Sequence, residues 1–129
     1  MQIESFKQLK VWQKSIDLVK KIYEITESFP KSEMYGLSGQ MRRSAVSIPS
    51  NIAEGYKRRN LGEYIQFLSI ADASAAELET QIIISKSLYV NISYSETESL
   101  LEEVQKMLFA VIKVLKTKRC TLNAKPSKK

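Results

Sequence analysis

Between Leu61 and Tyr89 the chain repeats Tyr64, Leu68, Ala71, Ala75, Leu78, Ile82, Ser85 and Tyr89 at spacings that alternate strictly between four and three residues. That alternation draws one narrow stripe along an α-helix, and it is incompatible with a strand, whose faces alternate every second residue. A helix of this length with a single seam needs partners of the same kind, which points to a helical bundle. The middle of the segment is small (Ala71, Ala73, Ser74, Ala75, Ala76), so a neighbouring helix can come close there.

The rest of the chain offers three more helices. It has only four glycines, and its three prolines stand at 30, 49 and 126. Long stretches therefore lack punctuation. The first helix is predicted from Phe6 to Phe29, stopped by Pro30, because a residue before proline resists the α region. It carries two apolar stripes about 120° apart at 100° per residue. Leu9, Trp12, Ile16, Val19 and Tyr23 form one, with Trp12 assigned to the core; Val11, Leu18, Ile22, Ile25 and Phe29 form the other. Together they are wider than one bundle core requires. The extra stripe is either covered by the helices on both sides or used between subunits.

The second helix is predicted from Gly36 or Leu37 to Arg58, with Leu37, Met41, Ala45, Ile48, Ile52 and Tyr56 as its seam. Pro49 falls inside it, and because the apolar spacing continues across, a kink is expected rather than a break. The fourth helix follows a capping box, Ser95-Glu96-Thr97-Glu98, and has the seam Leu101, Val104, Leu108, Val111 and Leu115. It is predicted to end near Arg119. The expected organisation is an all-α, up-down-up-down antiparallel four-helix bundle over residues 1–119 and a disordered basic tail over 120–129. The connections of three to seven residues make sequential helices antiparallel.

Several functional classes are disfavoured. The chain has no histidine, which removes the usual general base and the Glu-x-x-His pairs of a di-iron bundle. One cysteine cannot make an internal disulfide and is a poor start for a zinc site. No glycine-rich phosphate loop is present. No catalysis, cofactor or metal is therefore expected. No apolar run approaches a membrane span, and no signal peptide is recognisable, which together predict a cytoplasmic protein.

Charge is the remaining clue. The formal net charge is +6, and no acid follows Glu103, whereas residues 104–129 hold eight Lys and Arg. Folding into an antiparallel bundle gathers Lys7, Lys10, Lys57, Arg58, Arg59, Lys116, Lys118 and Arg119 at one pole. The other pole collects Glu24, Glu27, Glu33, Glu96, Glu98, Glu102 and Glu103. Cations suit the C-terminal ends of the second and fourth helices, but Lys7, Lys10 and Lys14 sit at the start of the first, where the helix dipole disfavours them. A polarised body of this kind suggests a polyanion partner. Aromatic residues are not interleaved with the basic runs, apart from Tyr56, so backbone or shape recognition of folded RNA fits better than base stacking. A second polar set, Arg42, Arg43, Asn51, Glu54, Glu77 and Glu79, lies beside apolar seams. It is read as a structural network of paired arginines and carboxylates rather than a ligand site.

The ordered set Phe29-Pro30-Lys31, Glu33, Tyr35-Gly36-Leu37, Gln40-Met41-Arg42-Arg43, Ser47-Ile48-Pro49, Asn51-Ile52-Ala53-Glu54-Gly55 and Ser74-Ala75-Ala76-Glu77-Leu78-Glu79 resembles the bacterial four-helix-bundle family of proteins encoded in intervening sequences of 23S rRNA genes. The resemblance covers residues 5 to 118 and departs at Ala73, where many relatives carry Gly. More distantly, the chain is similar to the accessory variability protein of diversity-generating retroelements. The resemblance implies an up-and-down bundle, no enzyme activity and assembly into a ring, often a homopentamer. It favours the subunit-interface reading of Val11, Leu18, Ile22 and Ile25. The retroelement relatives bind a reverse transcriptase and nucleic acid. The expected function is thus a homo-oligomeric accessory protein that binds nucleic acid, structured RNA foremost, through Lys57, Arg58, Arg59, Lys116, Lys118 and Arg119. The alternative is a scaffold that docks a partner such as a reverse transcriptase without touching nucleic acid.

Overall fold

The computed structural model describes residues 5–124. A 3-10 turn, Phe6–Gln8, leads into α1 (Lys10–Thr26); a second, Lys31–Glu33, leads into α2 (Leu37–Tyr56); α3 (Leu61–Leu88) and α4 (Ser95–Ala124) complete the molecule. Each helix packs against its neighbours in sequence, and α4 closes back on α1. The pairs run antiparallel: Lys14 meets Glu103 while Lys21, further along α1, meets Glu96, earlier in α4. The expected four-helix bundle is the fold observed. No helix among the described residues is long and apolar enough to cross a membrane.

The first helix is shorter than predicted at both ends. Leu9 is extended (ψ 127°), so the chain breaks between the opening turn and α1. Ser5 caps that turn, its Oγ accepting from the Lys7 N–H at 3.2 Å. At the far end Thr26 is buried and returns its hydroxyl to the Ile22 carbonyl at 2.6 Å. Phe29 leaves the helix and packs its ring 4.7 Å from that of Tyr89. α2 runs unbroken through Pro49, which is buried. Asn60 caps α3, accepting from the Glu63 N–H at 2.8 Å. α4 starts at Ser95 itself and continues five residues past Arg119 to Ala124, so the expected boundary at 119 falls inside a helix. Residues 125–129 of the expected tail lie outside the described residues.

Which stripe of α1 faces inward is the main correction. Val11, Leu18, Ile22 and Ile25, expected between subunits, are core residues, with Leu18 and Ile22 fully buried. They meet Met41, Ala45, Ile48 and Ile52 of α2, and Leu68, Ala71, Ala75, Leu78 and Ile82 of α3, in one cluster closed by Leu101, Val104 and Leu108 of α4. Leu9, Trp12 and Val19 from the other stripe pack against its edge, and Tyr23 is exposed. Trp12 is thus half-buried, edge-on to Phe6 with ring centroids 5.4 Å apart.

The connections at one end are fastened by polar contacts. The Tyr89 hydroxyl donates to Glu33 Oε2 at 2.5 Å, and Glu33 Oε1 accepts the Leu37 N–H at 3.0 Å, capping α2. The Tyr89 bond first, then the Leu37 N–H, hold the Glu33 carboxyl below its usual range. The same bond, with burial second, pushes the Tyr89 phenol up. Glu33 therefore stabilises the fold above the ordinary carboxylate range, and this is lost as pH falls through its depressed value. Tyr89 contributes below the ordinary phenol range, and this is lost as pH rises through its raised value. Thermal melts from pH 3 to 11 should show Tyr89→Phe flattening both flanks relative to wild type; parallel curves would mean the bond contributes nothing. In the core, Leu78→Ala should cost about 2–5 kcal/mol in urea unfolding, whereas Ile84→Ala, on the outside, should stay within about 0.5 kcal/mol in the monomer.

Candidate nucleic-acid interface

The basic pole is built at the α2–α3 connection. α2 ends where Gly55 meets α3: a Cβ at Gly55 would lie 2.7 Å from Phe67 Cβ and 3.2 Å from the Tyr64 carbonyl oxygen. Only glycine permits that approach. The connection is then short, and Lys57, Arg58 and Arg59 are all exposed on it. Tyr56 and Tyr64 pack edge to face beneath, with centroids 6.0 Å apart. Burial of Tyr64 pushes its phenol up.

Two further segments reach the same place. The opening turn packs on α2, and Ser5, Phe6, Lys7, Tyr56 and Lys57 line one depression of about 360 Å³. From α4, the Arg119 guanidinium lies over the bare Cα of Gly62 in the first turn of α3; a Cβ there would be 2.9 Å from Arg119 Cζ. Lys7 and Lys57 therefore meet at the end of α2, Arg59 stands on the link, and Arg119 sits at the start of α3, all at one end of the bundle. Lys116 stands further back along α4, beside Lys113 and facing Ser69 and Asp72 of α3. Lys118 is exposed but lies 200° around α4 from Lys116 at 100° per residue, on a different side. Arg58 is engaged differently from its neighbours. It pairs with Glu54 at 2.9 Å and its guanidinium lies 4.7 Å from the Phe67 ring centroid.

Among the described residues, Lys7, Lys57, Arg59, Lys116, Lys118 and Arg119 take part in no salt bridge, whereas the acids of the other end are largely matched. Lys21 bonds Glu96 at 2.6 Å and Glu24 at 3.4 Å, and Lys86 bonds Glu98 at 2.7 Å. The Glu96 bond, then the one to Glu24, raises the Lys21 ammonium above its ordinary value, and Lys21 in turn lowers Glu96.

The polar set expected as a network is divided among separate faces. Arg42 Nε donates to Thr26 Oγ1 at 2.9 Å with its guanidinium over the Tyr23 ring, tying α2 to α1. Asn51 donates to the Ser47 carbonyl at 2.8 Å and hydroxyl at 2.9 Å. Glu54 serves Arg58, and Glu79 accepts from Gln105 of α4 at 3.0 Å. Arg43 and Glu77 share a cleft between α2 and α3, unpaired with each other, where Ser44 donates to Glu77 at 3.4 Å. Sequence reasoning missed Gly62 as the seat of Arg119 and Phe67 as the support of Arg58; the Gly beside a basic run was the available signal for the first.

A model of the 23S rRNA-intervening sequence protein family matches residues 7–110. The chain belongs to that family. A solved structure of a protein of unknown function from the S23 ribosomal protein family, from Bacteroides thetaiotaomicron, is similar at 27% identity with a TM-score of 0.68, over 80% of this chain and 98% of that one. No functionally curated protein matches. The family match ends at residue 110, so Lys116, Lys118 and Arg119, three of the six expected phosphate contacts, lie beyond it on α4.

The two glycines separate packing from charge. Gly62→Ala meets only the flexible end of Arg119, so it should displace that guanidinium while leaving stability unchanged or raised by up to about 1 kcal/mol. Gly55→Ala meets Phe67 Cβ and backbone, so it should destabilise by about 1–3 kcal/mol. Urea unfolding of both variants checks the difference in sign.

Proposed function

We propose that this chain is a non-enzymatic, homo-oligomeric accessory protein that holds the phosphate backbone of structured RNA at its basic pole. The observation that supports this reading most directly is the asymmetry of pairing. At the end of the bundle that holds the α2–α3 connection, Lys7, Lys57, Arg59 and Arg119 stand without carboxylate partners among the described residues, while at the other end lysines neutralise Glu24, Glu96 and Glu98. Unpaired cations held together are the groups from which phosphate binding releases counterions. Helix dipoles suit cations at the C-terminal ends of α2 and α4, so the lack of carboxylate partners, rather than position at a helix end, supports the reading.

The aromatic residues at the pole favour a duplex or folded strand over unpaired bases. Phe6 packs on Trp12, Tyr56 on Tyr64, and Phe67 lies under Arg58. These rings are engaged within the protein, and stacking of single-stranded bases needs free ring faces. The family carries 23S rRNA in its name, which makes a folded ribosomal RNA fragment the first target to test.

Arg58 is a poor probe, since it also supports the end of α2. Reversal of Lys57, Arg59 and Arg119 to Glu spares that support. The triple variant should melt as wild type does and retard an RNA hairpin at least tenfold less at 50 mM salt. Its salt dependence should be shallower by about 0.9 for each phosphate it no longer neutralises. Equal retardation of both proteins across a salt titration would remove the proposal and leave the scaffold reading in its place.

A further inference from the structure

α4 carries an aromatic ring that the bundle leaves unused. Phe109 is 68% exposed, lies outside the core cluster, and makes no ring or cation contact among the described residues. It opens onto a depression of about 470 Å³ between α3 and α4, which it lines with Ser69, Asp72, Lys113, Lys116 and Thr117. Ile112, half-buried against the core, gives the depression an apolar wall. Asp72, Lys113 and Lys116 are exposed and enter no salt bridge among the described residues. Phe109, Lys113, Lys116 and Arg119 follow one another at spacings of four, three and three, which keeps them within about 120° of one side of α4. The side that carries the ring therefore leads to Arg119 at the basic pole, about 15 Å away at 1.5 Å per residue. In linear order no aromatic stands among these cations, but the helix sets one beside them.

We propose that this depression takes an unpaired nucleotide of the folded RNA whose duplex the pole holds, its base stacked on Phe109 and its phosphates on Lys113 and Lys116. The inference rests on the RNA reading above and adds to it a second, single-stranded contact. Phe6, Tyr56 and Phe67 at the pole are engaged within the protein, whereas Phe109 keeps a free face, which is what base stacking requires. Charge selects the ligand further. Asp72 stands among the lysines, so the occupant must offer an anion to one side and a donor to the other. A nucleotide does both: its phosphate meets the ammonium groups, and the exocyclic amine of cytosine, adenine or guanine donates to the carboxylate. A carboxylate side chain of a peptide meets the lysines alone. Uracil, with a carbonyl in place of the cytosine amine, gains less from Asp72.

Fluorescence anisotropy at about 50 mM salt tests this with a blunt RNA hairpin and the same hairpin extended by about six unpaired cytidines or uridines. Wild type should bind the cytidine-extended hairpin about fivefold or more tighter than the blunt one. Phe109→Leu should lose that gain and bind the blunt hairpin as before, and Phe109→Tyr should keep it. Phe109 is exposed and leucine favours helix, so the variant retains the fold. Wild type should prefer cytidine to uridine about threefold, and Asp72→Ala should bind both alike. An equal gain in wild type and Phe109→Leu overturns the stacking site, since added phosphates alone then account for it. Wild type that binds all the hairpins equally also overturns it, leaves the pole standing and frees the ring for a protein partner. A cytidine preference that survives Asp72→Ala overturns Asp72 as the group that reads the base. Binding of the extended hairpins without the blunt one supports the site and overturns the pole; binding of none overturns both.

Discussion

The close crossing of α2 and α3 sets the position of everything else. It is made possible by residues with almost no side chain: Gly55 against Phe67 at one end, then Ala45 facing the run that holds Ala71 and Ala75. At this distance Ile48 and Ile52 from one helix and Leu68 and Leu78 from the other are fully buried. Their burial is the largest favourable term available to a chain of this size. Ser47 and Ser74 hydroxyls meet at 2.8 Å along the same crossing, so polar atoms there bond each other rather than remain orphaned. α1 and α4 then close the bundle over what the pair leaves uncovered.

The crossing also determines the charge distribution. A short link between two tightly packed helices cannot fold its own side chains inward, so Lys57 and Arg59 face solvent. Asn60 spends its side chain on capping α3, and Glu54 is taken by Arg58. The link itself carries cations and no acid, and Glu63 in the first turn of α3 makes no salt bridge among the described residues. At the other end the connections behave oppositely. Glu33 is bonded by Tyr89 and the Leu37 amide, Tyr94 lies within hydrogen-bond reach of the Ser85 and Tyr89 carbonyls, and Lys21 and Lys86 reach across to α4. One end of the bundle is closed by internal pairing and the other has groups to spare, which is the physical basis for assigning recognition to it.

The α3 seam could be read directly because one stripe of strict 4-3 spacing has one meaning: Leu68, Ala71, Ala75, Leu78, Ile82 and Ser85 are buried as the pattern requires. α1 was ambiguous for an equally physical reason. Two stripes of similar hydrophobicity satisfy the same helix, and the choice between them depends on how α2 and α4 approach, which is information held in other segments. The break at Leu9 depends on a local contest between a capped turn and helix continuation that apolar spacing does not record. The extension of α4 past Arg119 follows from the absence of Gly or Pro before Pro126, so residues 120–124, expected as tail, are helix. Connectivity alone made legible that Lys7, Lys57, Arg59 and Arg119 share one end, because antiparallel packing fixes which ends adjoin, but it did not place Lys116 or Lys118, which stand elsewhere on α4. The seating of Arg119 on Gly62, and the split of the arginine and carboxylate set among four faces, depended on side-chain rotation about each helix axis. A shift of one residue there moves a group by 100°.

α3 runs along the bundle axis for about 42 Å at 1.5 Å per residue. The unpaired cations are gathered at one end of it, and its flank carries charged as well as apolar side chains. A single pole offers few phosphate contacts, so its grip on a folded strand would be weak. Under the proposed self-association, copies that leave their poles open would present several to one strand, and the second and later contacts would form at high effective concentration.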